Sequence, residues 1–224
     1  MDISISSEIG RILPACRLGI LQSSIQVEDS SDSLNDEIDL QIRNISQKVS
    51  IEEVSSLPLI EKTKNAYRLL GKDPSRYRPS AEALTRRIVQ GKGLYRVNNT
   101  VDLLNLVSIR TGYSIGGYDA DQISSPVILS KGSENEPYEA IGRGIMNIPQ
   151  LPVLRDMAGA FGSPTSDSRR TMVRGGTRNF MMVFFDFFSD EHLKETLEIS
   201  VEYLLKFGKG SAIRTGMVTP PGNQ

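Results

Sequence analysis

The clearest pattern of apolar and polar positions lies in the centre of the chain and predicts a helix that begins near Ser80. A single apolar stripe runs along this helix and consists of Leu84, Ile88 and Val89. Ser80 is suited to cap the helix, and Gly91 is suited to end it in a left-handed conformation. Arg86 and Arg87 fall outside the stripe, so we expect both side chains to face water.

A second helix is predicted between Asn99, its expected N-cap, and Gly112, its expected end. The helix is apolar nearly all round, through Val101, Leu103, Leu104, Leu106, Val107 and Ile109, which is typical of a buried helix. Its polar exceptions, Asp102, Asn105 and Ser108, are three residues apart and share one stripe. A buried carboxamide needs hydrogen-bond partners, so Asn105 either ties the helix to neighbouring backbone or faces a polar pocket.

The segment that follows, residues 113–119, has the pattern of a strand interrupted by Gly116 and Gly117. Two glycines inside a strand indicate either a bulge or the close approach of a ligand or another backbone. The sequence leaves both interpretations open.

Elsewhere the pattern predicts helices mainly before this centre and strands mainly after it. Strands are predicted at residues 1–5, 18–27, 126–130, 138–144 and 179–188, with two strands about a turn at 151–162, and helices at 30–48, 56–70 and 190–208. The tail at 211–224 contains Pro and Gly breakers and is expected to fray. This order favours an α+β fold with a helical first half and a β-rich second half.

A polar loop from Ser163 to Arg178 contains four arginines and a single aspartate. Long ordered loops of this kind often carry function. We expect Asp167 and Thr171 to hold the loop and Arg170 to contact a phosphate or carboxylate of a ligand, because its planar fork binds such groups through two parallel hydrogen bonds. The alternative is that all four arginines are solvated or pair with the acidic segment at 28–61.

Charge is unevenly distributed although the net charge of the 224 residues is only −1. Residues 28–61 contain nine acids and two bases, whereas residues 62–110 contain eleven bases and three acids. A nearly neutral protein can still present a basic face to nucleic acid. The alternative is that these bases form an ordinary solvated helix surface.

Composition narrows the chemistry further. With one cysteine, Cys16, the chain cannot form an internal disulfide, and an inert core thiol is expected there. The single histidine, His192, is expected at the surface or at a helix cap, which disfavours His-based triads and His-rich metal sites. We therefore expect no metal and no cofactor. Because no signal sequence or membrane-length apolar run occurs, a cytoplasmic protein without a membrane partner is expected.

Carboxylates that could act in pairs are present, but the sequence does not place them together. The candidates are Asp119 with Asp121, and Asp156 with Asp167, and the alternative is that each forms a turn. The Gly-Arg-Gly run at 142–144 is a weak phosphate-loop signal because no strand opening into a helix surrounds it. No catalytic residue is identified by these patterns.

Two long stretches carry a family resemblance. Residues 78–119, RPSAEALTRRIVQGKGLYRVNNTVDLLNLVSIRTGYSIGGYD, resemble the B3/B4 domain of the phenylalanine–tRNA ligase beta chain, and more closely its stand-alone relatives. Residues 142–188 are similar to the second half of that domain. The resemblance covers about residues 59–205 and implies a pocket between two halves, and we expect one domain over 1–224. Its segments are an N-terminal extension and helix (1–58), a B3-like half (59–125), a B4-like half (126–208) and a tail (209–224).

The resemblance also implies a set of pocket residues and a chemistry. In the synthetase the pocket hydrolyses tyrosine wrongly joined to the phenylalanine tRNA. The corresponding ligand-pocket candidates here are Asn105, Ser114, Gly116, Gly117, Tyr118, Asp119, Gly142, Asp156, Arg170, Thr171 and Thr177. The chain departs from the bacterial synthetase at Leu104, Ser114 and Gly116, where that enzyme carries Thr, Pro and His.

The expected partner is a tRNA or an aminoacyl-tRNA, with a free amino acid as a further small-molecule ligand and no DNA. The tRNA is expected on the basic face formed by Arg76, Arg78, Arg86, Arg87 and Lys92. Three functions remain open: trans-editing by an aminoacyl-tRNA deacylase, tRNA binding without catalysis, and sensing of an amino acid or nucleotide. We do not expect this chain to aminoacylate tRNA on its own.

Overall fold

The computed structural model describes residues 1–222, which form six helices and ten strands. The helices are α1 (Ser7–Ile12), α2 (Asp32–Lys48), α3 (Pro58–Leu70), α4 (Ser80–Val89), α5 (Asn99–Thr111) and α6 (Leu193–Phe207). The strands are β1 (Ile3–Ile5), β2 (Arg17–Ser24), β3 (Ile115–Asp119), β4 (Val127–Lys131), β5 (Glu139–Ala140), β6 (Gly144–Ile145), β7 (Pro152–Asp156), β8 (Gly159–Gly162), β9 (Asn179–Asp186) and β10 (Ser211–Val218).

Two four-stranded sheets organise the molecule. The first sheet has the order β1-β4-β7-β8, the second has the order β10-β2-β9-β3, and β5 and β6 form a small separate hairpin. The apolar strand β9 lies inside the second sheet, antiparallel to both β2 and β3. One core joins side chains from both sheets, such as Val127, Leu154 and Val183. A second core lies where α2, α5 and α6 cover the other face of the second sheet.

The α+β class is confirmed, with most helices before residue 112 and most strands after it. The first 58 residues contribute β1 to the first sheet and β2 to the interior of the second sheet, between β9 and β10. These residues are therefore part of both sheets and not an extension beside them. The alternating apolar positions of β2 fill both cores, through Leu18 on one face and Leu21 on the other.

Helix ends agree with the sequence where glycine sets them and differ where a polar side chain was expected. Gly71 and Gly112 end α3 and α5 with left-handed φ angles of 93° and 85°. Asn98, not Asn99, caps α5 through its side chain. Ser80 does not cap α4, because Pro79 occupies the N-cap position and the Ser80 backbone N–H donates to the Pro164 carbonyl at 2.7 Å.

The prediction of a fraying tail is wrong for residues 211–218. These residues form β10 and pair antiparallel with β2, from Ser211 opposite Ser24 to Val218 opposite Leu18. Hydrogen bonds to a partner strand that is distant in the sequence outweigh the local effect of glycine. The last two positions of the predicted tail, 223 and 224, lie outside the described residues.

Candidate functional site

The loop at 163–178 covers the free edge of β3 and holds it through Asp167. The Asp167 carboxylate accepts the Gly117 backbone N–H at 3.1 Å through one oxygen and the Tyr118 hydroxyl at 2.8 Å through the other. An isolated antiparallel bridge between Tyr118 and Met172 adds a backbone contact. Asp167 thus holds the loop, as the sequence predicted, and its carboxylate lies directly on the predicted pocket strand.

Glycines make this arrangement possible. The ring of Tyr118 is fully buried and lies edge-on against Phe161, with ring centroids 5.0 Å apart. A Cβ atom at Gly116 or at Gly162 would overlap the Tyr118 hydroxyl. The close approach predicted for this strand is therefore made at Gly116 by the chain's own tyrosine, so that position is not a pocket floor.

Gly117 faces the opposite side, towards α5. A Cβ atom there would overlap the end of the Leu104 side chain and come within 3.3 Å of Phe180. Leu104 immediately precedes Asn105, so the two sequence motifs of the predicted pocket meet at Gly117. Asn105 is partly buried, and no hydrogen bond to its side chain is present among residues 1–222. The predicted tie to backbone is therefore absent there, which leaves the carboxamide available to a ligand.

The electrostatics of Asp167 are unusual for an aspartate. Burial raises the pKa of its carboxyl from 3.8 to about 7, although hydrogen bonds from Tyr118, Gly117 and Ser163 act in the opposite direction. A carboxylate has about four acceptor positions, so these donors leave room for one more hydrogen bond. The residue is only partly buried. Such a group can accept a proton from water near neutral pH.

Arg170 has a different partner from the one predicted. Its guanidinium donates two hydrogen bonds to the Asp156 carboxylate, at 2.8 and 3.1 Å, and a third at 3.0 Å to the Gln122 carbonyl. The expectation of an outside anion is therefore wrong in this structure, because the fork is occupied within the chain. The arginines of the loop without a carboxylate partner among residues 1–222 are Arg174 and Arg178.

Thr177 and Asp119 form a second link between the loop and β3. The Thr177 hydroxyl donates to the Asp119 carboxylate at 2.8 Å and accepts the Arg174 backbone N–H at 3.0 Å. Thr171 is fully buried, and its hydroxyl has no hydrogen-bond partner within the described part of the chain. Thr171 therefore does not hold the loop through a hydrogen bond, contrary to prediction.

Two predicted pocket residues lie apart from this arrangement. The buried Ser114 hydroxyl is 3.5 Å from the Ala81 backbone nitrogen and so faces the start of α4. Gly142 is exposed in the turn between β5 and β6 with a φ angle of 70°. A left-handed glycine in an exposed turn has a structural explanation that needs no ligand.

The predicted basic face is partly neutralised within the chain. Glu82, which is only 3% exposed, accepts Arg86 at 2.8 Å and lies 3.7 Å from Arg78. Arg86 is half-buried and does not point freely into water, contrary to prediction. Arg76 and Lys92 are exposed, and Arg87 contacts Tyr95.

A sizeable cavity lies elsewhere. It measures about 620 Å³ and is lined mainly by apolar side chains of α2, α3, α5 and α6, and by none of the predicted pocket residues. His192 lies at its rim and is 65% exposed, in line with its predicted surface position. Within residues 1–222, no group of three or more His, Cys, Asp or Glu side chains could hold a metal ion. None of the described helices has the length and apolar character needed to span a membrane.

Sequence reasoning missed two tyrosines that support the loop. The Tyr138 hydroxyl donates to the Ser166 carbonyl at 2.6 Å, and the Tyr67 hydroxyl lies 2.9 Å from the Thr165 hydroxyl. Both rings are buried, and burial raises the pKa of both phenols. The available signal was that the hydroxyl of a buried tyrosine needs a hydrogen-bond partner. Its partner could not be found without the fold, because Tyr67 and Thr165 are 98 residues apart.

Cys16 matches its prediction as a core thiol. It is fully buried, and burial raises the pKa of its thiol to about 12. The thiolate needed for nucleophilic attack is therefore not formed near neutral pH.

Comparison with known proteins identifies a similar solved structure and a domain family. The N-terminal fragment of the phenylalanyl-tRNA synthetase beta subunit from Pyrococcus horikoshii is similar in fold, with a TM-score of 0.52 at 16% sequence identity. The similarity covers 98% of this chain and 52% of that fragment, so the chain spans about half of the fragment's length. No curated protein matches the chain. The family model of the B3/4 domain matches residues 62–211 of the sequence, and the chain therefore belongs to the B3/4 domain family.

Proposed function

We propose that this protein binds the aminoacyl end of a tRNA and hydrolyses the ester of a mischarged amino acid. Membership of the B3/4 family and the fold shared with a synthetase beta subunit support the tRNA as partner. The observation that carries the hydrolytic part is the position of Asp167, a partly buried residue whose carboxylate binds the edge of β3 through Gly117 and Tyr118 and has a pKa of about 7.

The proposed reaction needs one base, one water molecule and a bound ester. Asp167 accepts a proton from the water molecule while the water oxygen attacks the ester carbonyl carbon. The bond from the carbonyl carbon to the ribose oxygen then breaks, and the proton returns to that oxygen. The products are the free amino acid and the uncharged tRNA. The Asn105 carboxamide is proposed to contact the amino acid, because it has no hydrogen-bond partner among the described residues and adjoins the Leu104–Gly117 contact.

Binding of the tRNA backbone is assigned to cations without an internal carboxylate partner. Arg174 and Arg178 are exposed on the same loop as Asp167, and their guanidinium groups reach only backbone carbonyls of residues 169 and 177. They replace Arg170 in the role that the sequence had given to it. Arg76, Arg87 and Lys92 remain candidates on the helical side.

The test is a deacylation assay over a panel of mischarged tRNAs. We expect one or more tRNAs to be deacylated by the wild-type chain and the Asp167→Asn variant to be slower by roughly 10²- to 10⁴-fold, the range for loss of a general base. The wild-type rate should rise with pH up to about 7 and then level off, since the base must be ionised. The control is Asp36→Asn, which removes an exposed carboxylate on α2.

Other outcomes support the alternatives. Salt-dependent tRNA binding without deacylation of any substrate would leave a non-catalytic tRNA-binding module. Binding of a free amino acid without tRNA binding would leave a sensor. Deacylation that is equally fast in Asp167→Asn would remove Asp167 from the mechanism.

A further inference from the structure

The second half of α4 and the loop that leads into α5 concentrate positive charge. From residue 83 to residue 101 the chain has four cations and no carboxylate. Two of the four are paired with acids from outside: Arg86 with Glu82 at 2.8 Å and Arg96 with Asp39 at 2.6 Å. Arg87 and Lys92 have no carboxylate within ion-pair distance among residues 1–222. No carboxylate of the described residues therefore neutralises either charge, and the exposed Lys92 ammonium is available to an anionic partner.

Tyr95 lies in this segment as an exposed aromatic ring on a fixed support. The Arg87 guanidinium carbon lies 4.0 Å from the centre of the Tyr95 ring, and one of its nitrogens lies 3.2 Å from the Tyr95 hydroxyl. The same guanidinium donates to the carbonyls of Gly93 at 3.2 Å and Lys92 at 3.4 Å, which holds the loop in shape. Tyr95 is nevertheless 69% exposed, so the ring face opposite Arg87 is open to solvent.

Two glycines and one partly buried leucine set the shape of the loop. Gly91 and Gly93 have left-handed φ angles of 71° and 58°, a conformation that other residues rarely adopt. Leu94 is partly buried against the core formed with α5 and α6, which turns its neighbour Tyr95 outward. An aromatic side chain is thus displayed outward although the core lies one residue away.

We propose that Tyr95, backed by Arg87 and flanked by Lys92, is a stacking platform for an unpaired base of an RNA. Every nucleobase has a flat face, and exposed aromatic rings beside cations are the means by which proteins bind single-stranded nucleic acid. The Lys92 ammonium and the Arg87 edge supply contacts for the adjoining phosphates. This inference rests on the proposed function, and it specifies that the recognised part of the tRNA is single-stranded.

A simpler explanation is that Arg87 and Tyr95 only hold the loop together. In that case the pair would contribute to stability and not to RNA binding. The two explanations differ in the role of the open ring face, because a loop support does not use it, whereas a stacked base does.

The test is binding of a labelled single-stranded 12-nucleotide RNA and of a bulk tRNA, followed by fluorescence anisotropy at several salt concentrations. We expect Tyr95→Ala to weaken binding of both RNAs by roughly 5- to 100-fold, the range for loss of one stacked base. Tyr95→Phe keeps the ring and should bind within about twofold of wild type. Lys92→Ala should flatten the dependence of log affinity on log salt by about one unit.

A control variant and a competitor sharpen the result. Leu205→Ala removes an apolar side chain that is 61% exposed on α6 and should bind RNA as the wild type does. A double-stranded RNA of the same length should compete poorly, because its bases are not free to stack on the ring.

The outcomes separate this inference from the proposed function. If the wild type deacylates or binds tRNA but Tyr95→Ala binds both RNAs as tightly as wild type, the stacking platform is overturned and the proposed function stands. If the wild type binds neither RNA at low salt, the platform and the tRNA partner fail together. Equal losses in Tyr95→Ala and Tyr95→Phe would also overturn stacking, because the ring is retained in the second variant.

Discussion

At the scale of single residues, the chemistry of the site depends on how the chain surrounds one carboxyl group. Asp167 is ionised easily in an unfolded chain, whereas burial raises its pKa to about 7 in the folded protein. Two donors fix its oxygens, the Gly117 N–H and the Tyr118 hydroxyl. The fold thus holds a carboxyl group that changes its charge near neutral pH, which an exposed aspartate does not do.

This shift predicts a pH dependence of stability. The folded pKa lies above the unfolded value, so between about pH 4 and pH 7 the folded state holds a proton that the unfolded state has lost. As the pH rises from about 4 to 7, the free energy of unfolding of the wild type should therefore fall relative to that of Asp167→Asn. Above about pH 7 the difference between the two proteins should be constant. Urea unfolding of both proteins from pH 4.5 to pH 8.5 measures this.

The same titration has a clear counter-result. The control is Asp36→Asn, which also removes one carboxylate but on the exposed surface of α2. If the difference in free energy of unfolding between wild type and Asp167→Asn does not change with pH, then the pKa of the Asp167 carboxyl is not raised in the folded state.

Residue identities were easier to predict than residue partners. The sequence marked Asp156, Asp167 and Arg170 as candidates, and it left open whether the two aspartates form a pair or each forms a turn. In the fold, Asp156 binds Arg170 and Asp167 binds Tyr118, at distances of 2.8 Å in each case. Composition cannot distinguish these pairings, because they depend on the path by which β7, β8 and the loop return to β3.

At the scale of elements, helix α5 shows which boundary signals were sufficient. Its C-terminal glycine was predicted correctly, because few residues other than glycine adopt the left-handed conformation at Gly112. At the other end two asparagines are adjacent. Asn98 caps the helix, whereas Asn99 turns back to the Gln26 carbonyl and the Glu28 N–H. Which asparagine caps the helix is decided by the residues that follow β2, because Gln26 and Glu28 bind Asn99, and these residues are distant from α5 in the sequence.

The caps can be tested by a matched pair of substitutions. Asn98→Ala removes a side-chain oxygen that accepts the Val101 N–H at 2.9 Å, and it should lower the free energy of unfolding by about 1 kcal/mol. Ser80→Ala should change it by less than about 0.5 kcal/mol, because the Ser80 hydroxyl has no hydrogen-bond partner among residues 1–222. Thermal unfolding of both variants shows which one loses more stability. A larger loss of stability in Ser80→Ala than in Asn98→Ala would contradict the assignment of Asn98, and not Ser80, as a helix cap.

At the scale of the whole molecule, the loop at 163–178 joins the two sheets. Asp167 and Thr177 attach it to β3 in the second sheet, whereas Arg170 attaches it to Asp156 in the first sheet. The candidate base therefore lies where both sheets fix its position. Placement of a catalytic group on such a rigid support is what general-base chemistry requires.

The second sheet also depends on the strand that the sequence did not predict. β10 pairs with β2 over residues 211–218 and leaves β2 in the interior of the sheet. Its own side chains are mostly exposed, so its contribution comes mainly from hydrogen bonds along β2. Local glycine content suggested a disordered tail because the pairing partner is almost 200 residues away.

Proline substitutions at two consecutive positions test whether β10 is a true strand in solution. Successive N–H groups of a strand point to opposite sides, so one of Thr215→Pro and Gly216→Pro must remove a hydrogen bond to β2. A loss of about 1 kcal/mol corresponds to a decrease in Tm of roughly 2–4 °C in a domain of this size. Thr219→Pro, just beyond the strand, is the control and should leave Tm unchanged. If neither of the two strand prolines lowers Tm below that of the control, the tail frays as its glycine and proline content predicted, and β2 is an edge strand.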